Sequence, residues 1–417
     1  MNHRHPSSPI PIPTDLHIHP GPALLSGIEN GSSIEAHRAQ YGALPKLHLD
    51  ELADRVERLR LRGRGGAAFP FAIKLRTAAE GRKPVIVVNL SEGEPASGKD
   101  SALVMTRPHL ILDGAVITAR ALKAIEIHLV LPGDRPSVGA AMHRALAERQ
   151  DKIRIHTHEA EPRFVAGQAQ AVLQLIAGKP NLPVTAWQPE AVSGHRGRPT
   201  LLSNAETWAQ VARVALEGEA AYRRHGTAEE PGTTLMTITT GPVPDVREVP
   251  FGTPLKDVLP AAVHGRPVLL GGFHGSWAPW STVASTIVSV DGMKAQGTPL
   301  GAGIVVSLDG CPVSLTTRIV DYLAGQSARR CGPCFNGLPA LASALRGVSF
   351  GGGDLGRVQQ LSEIVVRRGA CAHPDGTVRL VQSLLAGFAD ELDAHNDGVC
   401  THRAVRAVRT VRTEEAS

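Results

Sequence analysis

The residues best suited to chemistry gather in three places. The first is Gly63–Lys74, Gly-Arg-Gly-Gly-Ala-Ala-Phe-Pro-Phe-Ala-Ile-Lys, which sets Gly63, Gly65 and Gly66 beside Arg64 and Lys74. Glycine lets a backbone approach a ligand with no Cβ in the way. Exposed N–H groups flanked by cations suit an anionic phosphate. The stretch is neither a P-loop, since Gly-Lys-Ser/Thr is absent, nor a clean G-x-G-x-x-G. By itself it reads equally well as a linker turn. The second place is the polar run Asn89-Leu-Ser-Glu-Gly-Glu-Pro, which follows an apolar segment. The third is the late group of cysteines, Cys311, Cys331, Cys334, Cys371 and Cys400. Five thiols, odd in number and clustered, fit a metal or redox role in a reducing cytoplasm better than a disulfide framework.

Composition narrows the classes. A chain of 417 residues, 42% hydrophobic and 20% charged, is ordinary soluble material for two to four domains. The net charge of +5 is scattered rather than striped, and only 4% of residues are aromatic, so base-stacking platforms for nucleic acid are not supported. No apolar run reaches the roughly 18–20 residues of a membrane span. Met1–Pro20 is rich in His and Pro and lacks an apolar signal core. Its His17-x-His19 pair has no third metal ligand in range, so a solvated arm is expected.

The elements that must position these groups can be read in order. Leu49, Leu52, Val56 and Leu59 recur at helical spacing, predicting a helix over 48–61 that ends at Gly63. Val85-Ile-Val-Val-Asn-Leu predicts a strand buried on both faces, with the Asn89 loop at its C-terminal edge. A helix over 103–123, a strand over 125–131, a helix capped by Ser137, a strand over 152–158 and a helix over 168–177 continue the alternation. That is the pattern of an open α/β sheet, whose ligands sit outside the strand carboxyl ends. Strands are then predicted at 233–241, 247–249, 268–270 and 304–308, with a helix over 254–263. The remainder is helical at 316–328, 339–347, 354–368 and 378–395, before an arginine-rich tail.

Four motifs in order resemble the NADH-binding flavoprotein subunit of respiratory complex I and the diaphorase subunits of hydrogenases and formate dehydrogenases. Leu61-Arg-Gly-Arg-Gly-Gly-Ala-Ala-Phe-Pro resembles L-R-G-R-G-G-A-G-F-P, and Asn89-Leu-Ser-Glu-Gly-Glu-Pro-Ala-Ser-Gly-Lys-Asp resembles N-A-D-E-G-E-P-G-T-F-K-D. Gly197-Arg-Pro-Thr and Ser203-Asn-Ala-Glu-Thr resemble G-R-P-T and N-N-V-E-T. The resemblance runs from about residue 45 to residue 395 and marks a divergent member. It implies an α/β fold with a Rossmann-like FMN-binding domain (46–228), a ubiquitin-like β-grasp module of the soluble ligand-binding type (229–311) and a C-terminal four-helix bundle of iron–sulfur type (312–398). An N-terminal arm (1–45) and a tail (399–417) flank them.

Carried over residue by residue, the resemblance implies that Gly63, Arg64, Gly65, Gly66 and Lys74 line FMN, with Asn89, Ser91, Glu92 and Asn204 completing its polar contacts. Ala68 replaces a family glycine, Ser91 an aspartate and Ser203 an asparagine, so a retained scaffold with no flavin stands as the alternative. The family's Y-I-C-G-E-E-T-A-L appears as Phe164-Val-Ala-Gly-Gln-Ala-Gln-Ala-Val. Gly167 stays, while the acidic pair becomes Gln168 and Ala169, which accept ribose hydrogen bonds weakly or not at all. Phe69 matches an aromatic stacked on the dinucleotide's adenine, a second such position falls near Thr77 and is lost, and Trp187 is a candidate substitute. Core packing is the alternative for both aromatics. Glu94 matches a glutamate near the nicotinamide end and is the catalytic candidate. The substrate is then NADH or NADPH.

Cys331, Cys334 and Cys371 match three of the family's four ligands to a [4Fe–4S] cluster, and the position of the first is Ala328. A cluster completed by Cys311, Cys400, a histidine or an exogenous ligand, a [3Fe–4S] form, and a Cys331–Cys334 dithiol all remain open. Cys-Gly-Pro-Cys is also the thioredoxin motif, although no strand is predicted before it. Arg329 and Arg330 would lower the thiol pKa values, and Cys311 and Cys400 otherwise read as buried or incidental. The expected function is an NAD(P)H dehydrogenase of diaphorase type. It would take hydride onto FMN and pass electrons through a cluster to a ferredoxin-like or quinone-linked partner. The alternative is a non-catalytic binding subunit of an electron-transfer assembly. The expected location is cytoplasmic, with any membrane association made through a partner.

Overall fold

A computed structural model describes residues 8–10 and 14–402 of the chain. Its first layer is a parallel sheet of four strands in the order Arg154–Ala160, Glu126–Pro132, Val85–Asn89, Thr200–Asn204. Val85–Val88 is buried at every residue because helices cover both faces. The two-residue period divides it. Ile86 and Val88 pack with Leu129 and Leu201 beneath the helices Pro108–Leu122 and Ala205–Tyr222, whereas Val85 and Val87 pack with Val130 and Leu202 on the helix Ala169–Ile176. Pro108–Leu122 and Ala205–Tyr222 touch closely: a Cβ at Gly114 would lie 1.9 Å from the Trp208 carbonyl oxygen.

The second layer is a mixed sheet centred on Thr233–Thr239, which is buried at every residue. Asp245–Pro250 pairs with it antiparallel on one side, and Ile304–Val306 pairs parallel on the other. Val268–Leu270 and then Ser276–Ala278 extend the sheet. Here too alternation sorts the side chains. Val268, Leu270 and Val305 join a local core with Leu255, Val258 and Met293. Leu269, Ile304 and Val306 face the helices Pro312–Gln326, Leu338–Ser349 and His373–Gly387. Leu355–Val365 and Ala389–Asn396 complete that helical layer. Among the described residues no helix is long and apolar enough to cross a membrane.

Several sequence-based expectations shift. The helix over 103–123 is two, Lys99–Thr106 and Pro108–Leu122, because Pro108 starts a new first turn. Arg135, not Ser137, occupies the cap of Pro136–Ala147, and Pro136 again opens the helix. The segment 378–395 breaks at Phe388 into His373–Gly387 and Ala389–Asn396. Ser276–Ala278, Trp280–Ser285 and Val290–Ala295 leave no periodic signal because each is at most six residues long.

The largest correction concerns the N-terminal arm. Within it, His17–Ile18 pairs with Asp245–Val246, Ile34–Tyr41 is a helix, and Leu24 and Leu25 are fully buried. The Glu248 carboxylate accepts from the backbone N–H groups of Ala23, Leu24 and Leu25 at 3.0, 2.7 and 3.0 Å. His17 and His19 both face Asp245, with His19 Nε2 at 2.6 Å from its carboxylate. The expected solvated arm is therefore anchored at these residues. Of the expected tail, residues 403–417 lie outside the described residues.

Candidate active site

Asn89 and Asn204 stand side by side in register at the carboxyl ends of two neighbouring parallel strands. The glycine-rich turn, the Asn89 loop and the Ser203–Thr207 motif converge on this edge, whereas Gly197-Arg-Pro-Thr opens the strand Thr200–Asn204 at the opposite edge. Asn89 donates through Nδ2 to the Gly167 carbonyl at 2.8 Å and accepts through Oδ1 from the Ser91 hydroxyl at 2.7 Å. A Cβ on Gly167 would sit 2.7 Å from Ser91 Oγ, so only glycine fits there. Asn204 caps the helix Ala205–Tyr222 by accepting from Thr207 N at 3.4 Å, and its amide donates to Asp100 at 3.1 Å. The Gly65–Ala67 turn is exposed above this edge. Gly65 faces Asn204, and Gly66 lies against Gly301–Ala302 of the second sheet's last turn.

Gly66 takes φ +100°, a conformation open to glycine. Ala68 takes φ +51°, so the residue that replaces a family glycine carries left-handed backbone strain. Gly63 N donates to the Phe69 carbonyl at 2.9 Å and closes the turn. A solvent-open turn facing Asn204, on the same strand edge as Asn89, brings backbone N–H groups and amide side chains together, the donor types that a ribityl chain and its phosphate need.

Three of the expected contacts are turned elsewhere. The Arg64 guanidinium is buried, lies 4.7 Å over the Phe251 ring and donates to the Thr233 carbonyl at 3.3 Å. Arg64 therefore offers the turn its backbone, not its charge. Glu92, at φ +41°, accepts from Ser97 Oγ at 2.7 Å, from the N–H groups of Asp100 and Ser101 at 2.9 Å each, and from Arg135 and the Ser101 hydroxyl. Its carboxylate anchors the start of the helix Lys99–Thr106. Burial disfavours that charge, but Arg135 and the serine hydroxyls outweigh it and hold the pKa below the usual value. Lys74 reaches Glu190 at 2.7 Å and the Leu202 carbonyl at 3.2 Å.

Sequence reasoning missed the polar bolt beneath the turn. Lys99 Nζ donates to the Arg64 carbonyl at 2.7 Å and to Glu206 at 2.6 Å, with both side chains buried. Glu206 also accepts from Leu235 N at 2.9 Å, tying the first layer to the second. Lys99 lies inside the Asn89–Asp100 motif and Glu206 inside Ser203–Thr207, but only the fold brings them together. Burial, reinforced by the nearby Glu92, pushes Asp100 up to about 7.

Glu94 spans to the second layer, accepting from Phe273 N at 2.9 Å, and burial raises it to about 7. Phe69 is 46% exposed and Trp187 is 93% exposed, so neither is the core residue it could have been. Trp187 borders a cavity of about 500 Å³ lined by Gln168, Ala169, Pro183, Glu190 and Cys371, among others. The cavity joins the segment after Gly167 to the loop that bears Cys371.

The helical layer presents the cysteines. Cys334 lies at the C-terminal end of Pro312–Gln326, where Ser327 Oγ donates to its carbonyl at 3.3 Å. His373 holds the Cys371 loop to the same end through its Nε2 contact with the Leu323 carbonyl at 2.9 Å. Burial, then neighbouring Cys331, pushes the Cys334 thiol up to about 12, and burial raises Cys371 as well, with Gln168 hydrogen-bonded to it. The expected lowering by Arg329 and Arg330 is overturned for Cys334. No strand precedes the Cys-Gly-Pro-Cys segment, which runs from a helix into a π-turn at Pro333–Gly337. A thioredoxin-like dithiol is thus poorly served. Three soft sulfur donors at one end of the layer suit iron far better.

Cys311 and Cys400 cannot supply the missing ligand. Cys311 caps the opposite end of Pro312–Gln326, a helix of 15 residues, and at 1.5 Å per residue that is about 22 Å away. Cys400 lies with Cys311, not with the other three thiols. An aromatic joint of Phe164, Phe273, His274, Tyr322 and His373 links the Gly167 segment to the helices, with Phe164 and His274 rings 4.6 Å apart. Isolated aromatics scattered from 164 to 373 gave no signal of it.

Residues 56–213 match the Nuo51 FMN-binding domain, and residues 314–395 match the NADH-ubiquinone oxidoreductase-F iron-sulfur binding region. Similar proteins include the F 2 subunit of NADH-quinone oxidoreductase in Rhizobium meliloti (strain 1021), 29% identical over 401 residues, covering 89% of this chain and 94% of the relative. The F subunit of NADH-quinone oxidoreductase in Escherichia coli (strain K12) is 27% identical over 384 residues, covering 84% and 86%. Among solved structures, a chain of the NAD+-reducing [NiFe]-hydrogenase in the H2-reduced state superposes with a TM-score of 0.81 at 25% identity, covering 93% of this chain and 68% of that one.

Proposed function

The chain belongs to the family of NADH-binding flavoproteins represented by the F subunit of NADH-quinone oxidoreductase, and from that premise we propose that it is an FMN-dependent oxidoreductase oxidising NADH within an electron-transfer assembly. The observation that carries the reading is the convergence of the glycine turn, Asn89, Gly167 and Asn204 on one carboxyl edge of the parallel sheet. FMN held at this edge would convert a hydride's two electrons into single-electron steps, and a cluster held by Cys331, Cys334 and Cys371 would supply the one-electron relay.

The chain's own residues do the rest. Gly63 closes the turn, Gly65 and Gly66 offer backbone donors, and the side chains of Asn89, Ser91 and Asn204 would hold hydroxyls. Arg64 and Glu92 act beneath the site, fixing the turn and the helix start. Phe69 and Trp187 offer exposed faces for an adenine ring. Gln168 and Ala169 contribute no charge where the family carries two carboxylates, which removes a repulsion against the phosphate of NADPH. Lys74 neutralises Glu190 at the cavity wall. Glu94, with a pKa near 7, is placed to hold or release a proton close to the nicotinamide end. Cys331, Cys334 and Cys371 would supply three ligands, to a [4Fe–4S] cluster completed by an exogenous ligand or to a [3Fe–4S] form.

The mixed sheet within 229–311 reads as a β-grasp module, and the helices of 312–398 read as a four-helix bundle. They follow an FMN domain at 46–228. The partner would be a ferredoxin-like or other iron–sulfur protein, and the location cytoplasmic.

The test is anaerobic purification with flavin and iron measured together. The expected result is FMN, about three to four iron atoms per chain, and loss of flavin absorbance on adding NADH. Cys334→Ser should lose the iron and keep the FMN. A colourless protein that rejects added FMN refutes the proposal, and bound FMN that NADH cannot bleach assigns a non-catalytic binding role instead.

A further inference from the structure

At the end of the helical layer remote from Cys331, Cys334 and Cys371, four side chains converge. Cys311 precedes the helix Pro312–Gln326, Glu391 and His395 lie one turn apart on Ala389–Asn396, and Cys400 follows that helix. One ligand atom from each lies within 4.8 Å of all the others, and Cys311, Glu391 and His395 are buried. We propose that Cys311, Glu391, His395 and Cys400 form a structural site for a tetrahedral divalent cation of zinc's class.

The donor set is the first argument. Two thiols, an imidazole and a carboxylate are the ligand types zinc takes, and four protein ligands close the coordination shell as structural sites require. Spacing is the second. With zinc–ligand bonds of about 2.0–2.3 Å, tetrahedral ligands stand roughly 3.3–3.8 Å from one another. Cys311 Sγ lies 3.5 Å from Glu391 Oε1 and 3.0 Å from His395 Nε2, His395 Nε2 lies 3.2 Å from Glu391 Oε1, and Cys400 Sγ lies 3.6 Å from Glu391 Oε1. These four separations lie within a few tenths of an ångström of that spacing, and Cys400 Sγ is within 4.8 Å of the other two ligand atoms.

The third argument is the surrounding shell, which holds the ligands in ligating form. His395 Nδ1 meets the Ser349 carbonyl at 2.9 Å, which fixes the proton on Nδ1 and leaves the Nε2 lone pair facing the thiols. An outer hydrogen bond of this kind is what a ligating histidine makes. Glu391 Oε2 is held by the Thr401 hydroxyl and by His402 Nδ1 at 3.2 Å, which aims Oε1 inward even though Thr401 N also approaches Oε1 at 3.3 Å. Among the described residues no lysine or arginine is hydrogen-bonded or ion-paired to any of the four.

The place in the fold gives the ion a purpose. Cys311 ends the crossing from the mixed sheet, and Cys400 follows the helix Ala389–Asn396, the last among the described residues. A cation shared between them clasps the helical layer at both of its chain ends. Because such ligands lack a preformed site in the unfolded chain, binding adds to the stability of that layer. The site is independent of the flavin and of the other three cysteines.

The full-length protein, prepared without chelators from zinc-supplemented culture, should contain about one zinc per chain. Cys311→Ser/Cys400→Ser should lose that zinc while keeping FMN and iron at wild-type levels. Should the variant fold poorly, the wild type itself decides: after mild chelation, Co2+ titration should develop thiolate-to-metal charge-transfer and strong tetrahedral d–d absorption, saturating at one equivalent and reversed by Zn2+. Less than about a tenth of a zinc per chain together with no cobalt spectrum overturns the proposal. So does zinc that survives the double substitution, or a Cys311–Cys400 disulfide in the native protein.

Discussion

Replacing Lys99 by methionine isolates the buried bolt beneath the glycine turn. Lys99 Nζ is bound to Glu206 at 2.6 Å and to the Arg64 carbonyl at 2.7 Å, and both charged side chains are almost wholly buried, at 4% and 0% exposure. Methionine fills the space of the stem but strands the carboxylate. Breaking a buried pair on one side costs about 3–5 kcal/mol, because a desolvated charge is left uncompensated. Glu206 keeps donors at Leu235 N and the Thr234 hydroxyl, and Arg64 Nε stands 3.7 Å away, so the lower end, about 3 kcal/mol, is expected. The Arg64 carbonyl loses its donor too, and the turn loosens. One lost hydrogen bond of about 1–1.5 kcal/mol predicts FMN binding weakened roughly tenfold.

Denaturant unfolding followed by the fully buried Trp208, with flavin fluorescence quenching for affinity, measures both effects. Lys74→Met is the control. Its partner Glu190 is also an acid at 2.7 Å, but the pair is partly exposed, at 24% and 15%, so about 1 kcal/mol or less is expected. A Lys99→Met loss no larger than that of Lys74→Met, with unchanged FMN affinity, would refute the reasoning that burial sets the difference.

Two further outcomes follow from the same geometry. Ala68→Gly should stabilise the protein by up to about 1 kcal/mol and leave FMN bound, since it relieves a left-handed alanine at φ +51°; a measured destabilisation counts against strain at that position. Glu94 titrates near pH 7 when folded and near 4.5 when unfolded, so the folded chain binds more protons between those values. Glu94's contribution to stability should therefore decline as pH rises from about 4.5 through 7, so Glu94→Gln should gain stability relative to wild type across that range and flatten the pH profile of NADH oxidation there. An unaltered pair of profiles would remove Glu94 from the proton chemistry.

The amino-acid sequence by itself determined the layers and their order. Val85–Asn89 had to be a central parallel strand because an uninterrupted apolar run is stable only when both faces are covered. The Asn89 loop was legible because it follows an apolar run, whereas Asn204 came only from the motif resemblance, its strand Thr200–Asn204 having left no prediction. Tertiary structure alone decided which charges serve a ligand and which serve the fold. The family resemblance implied that Arg64 and Glu92 contact flavin, yet Phe251, Thr233 and Arg135 engage them across the molecule. Glu248 satisfies the backbone of Ala23–Leu25 from 225 residues away or fewer, and Cys311 meets His395 across 84. A buried polar group must find its partner wherever packing delivers one, and no local periodicity encodes that meeting. The three glycines by themselves read equally well as a linker turn; only the folded chain showed that Lys99 and Glu206 fasten that turn from below.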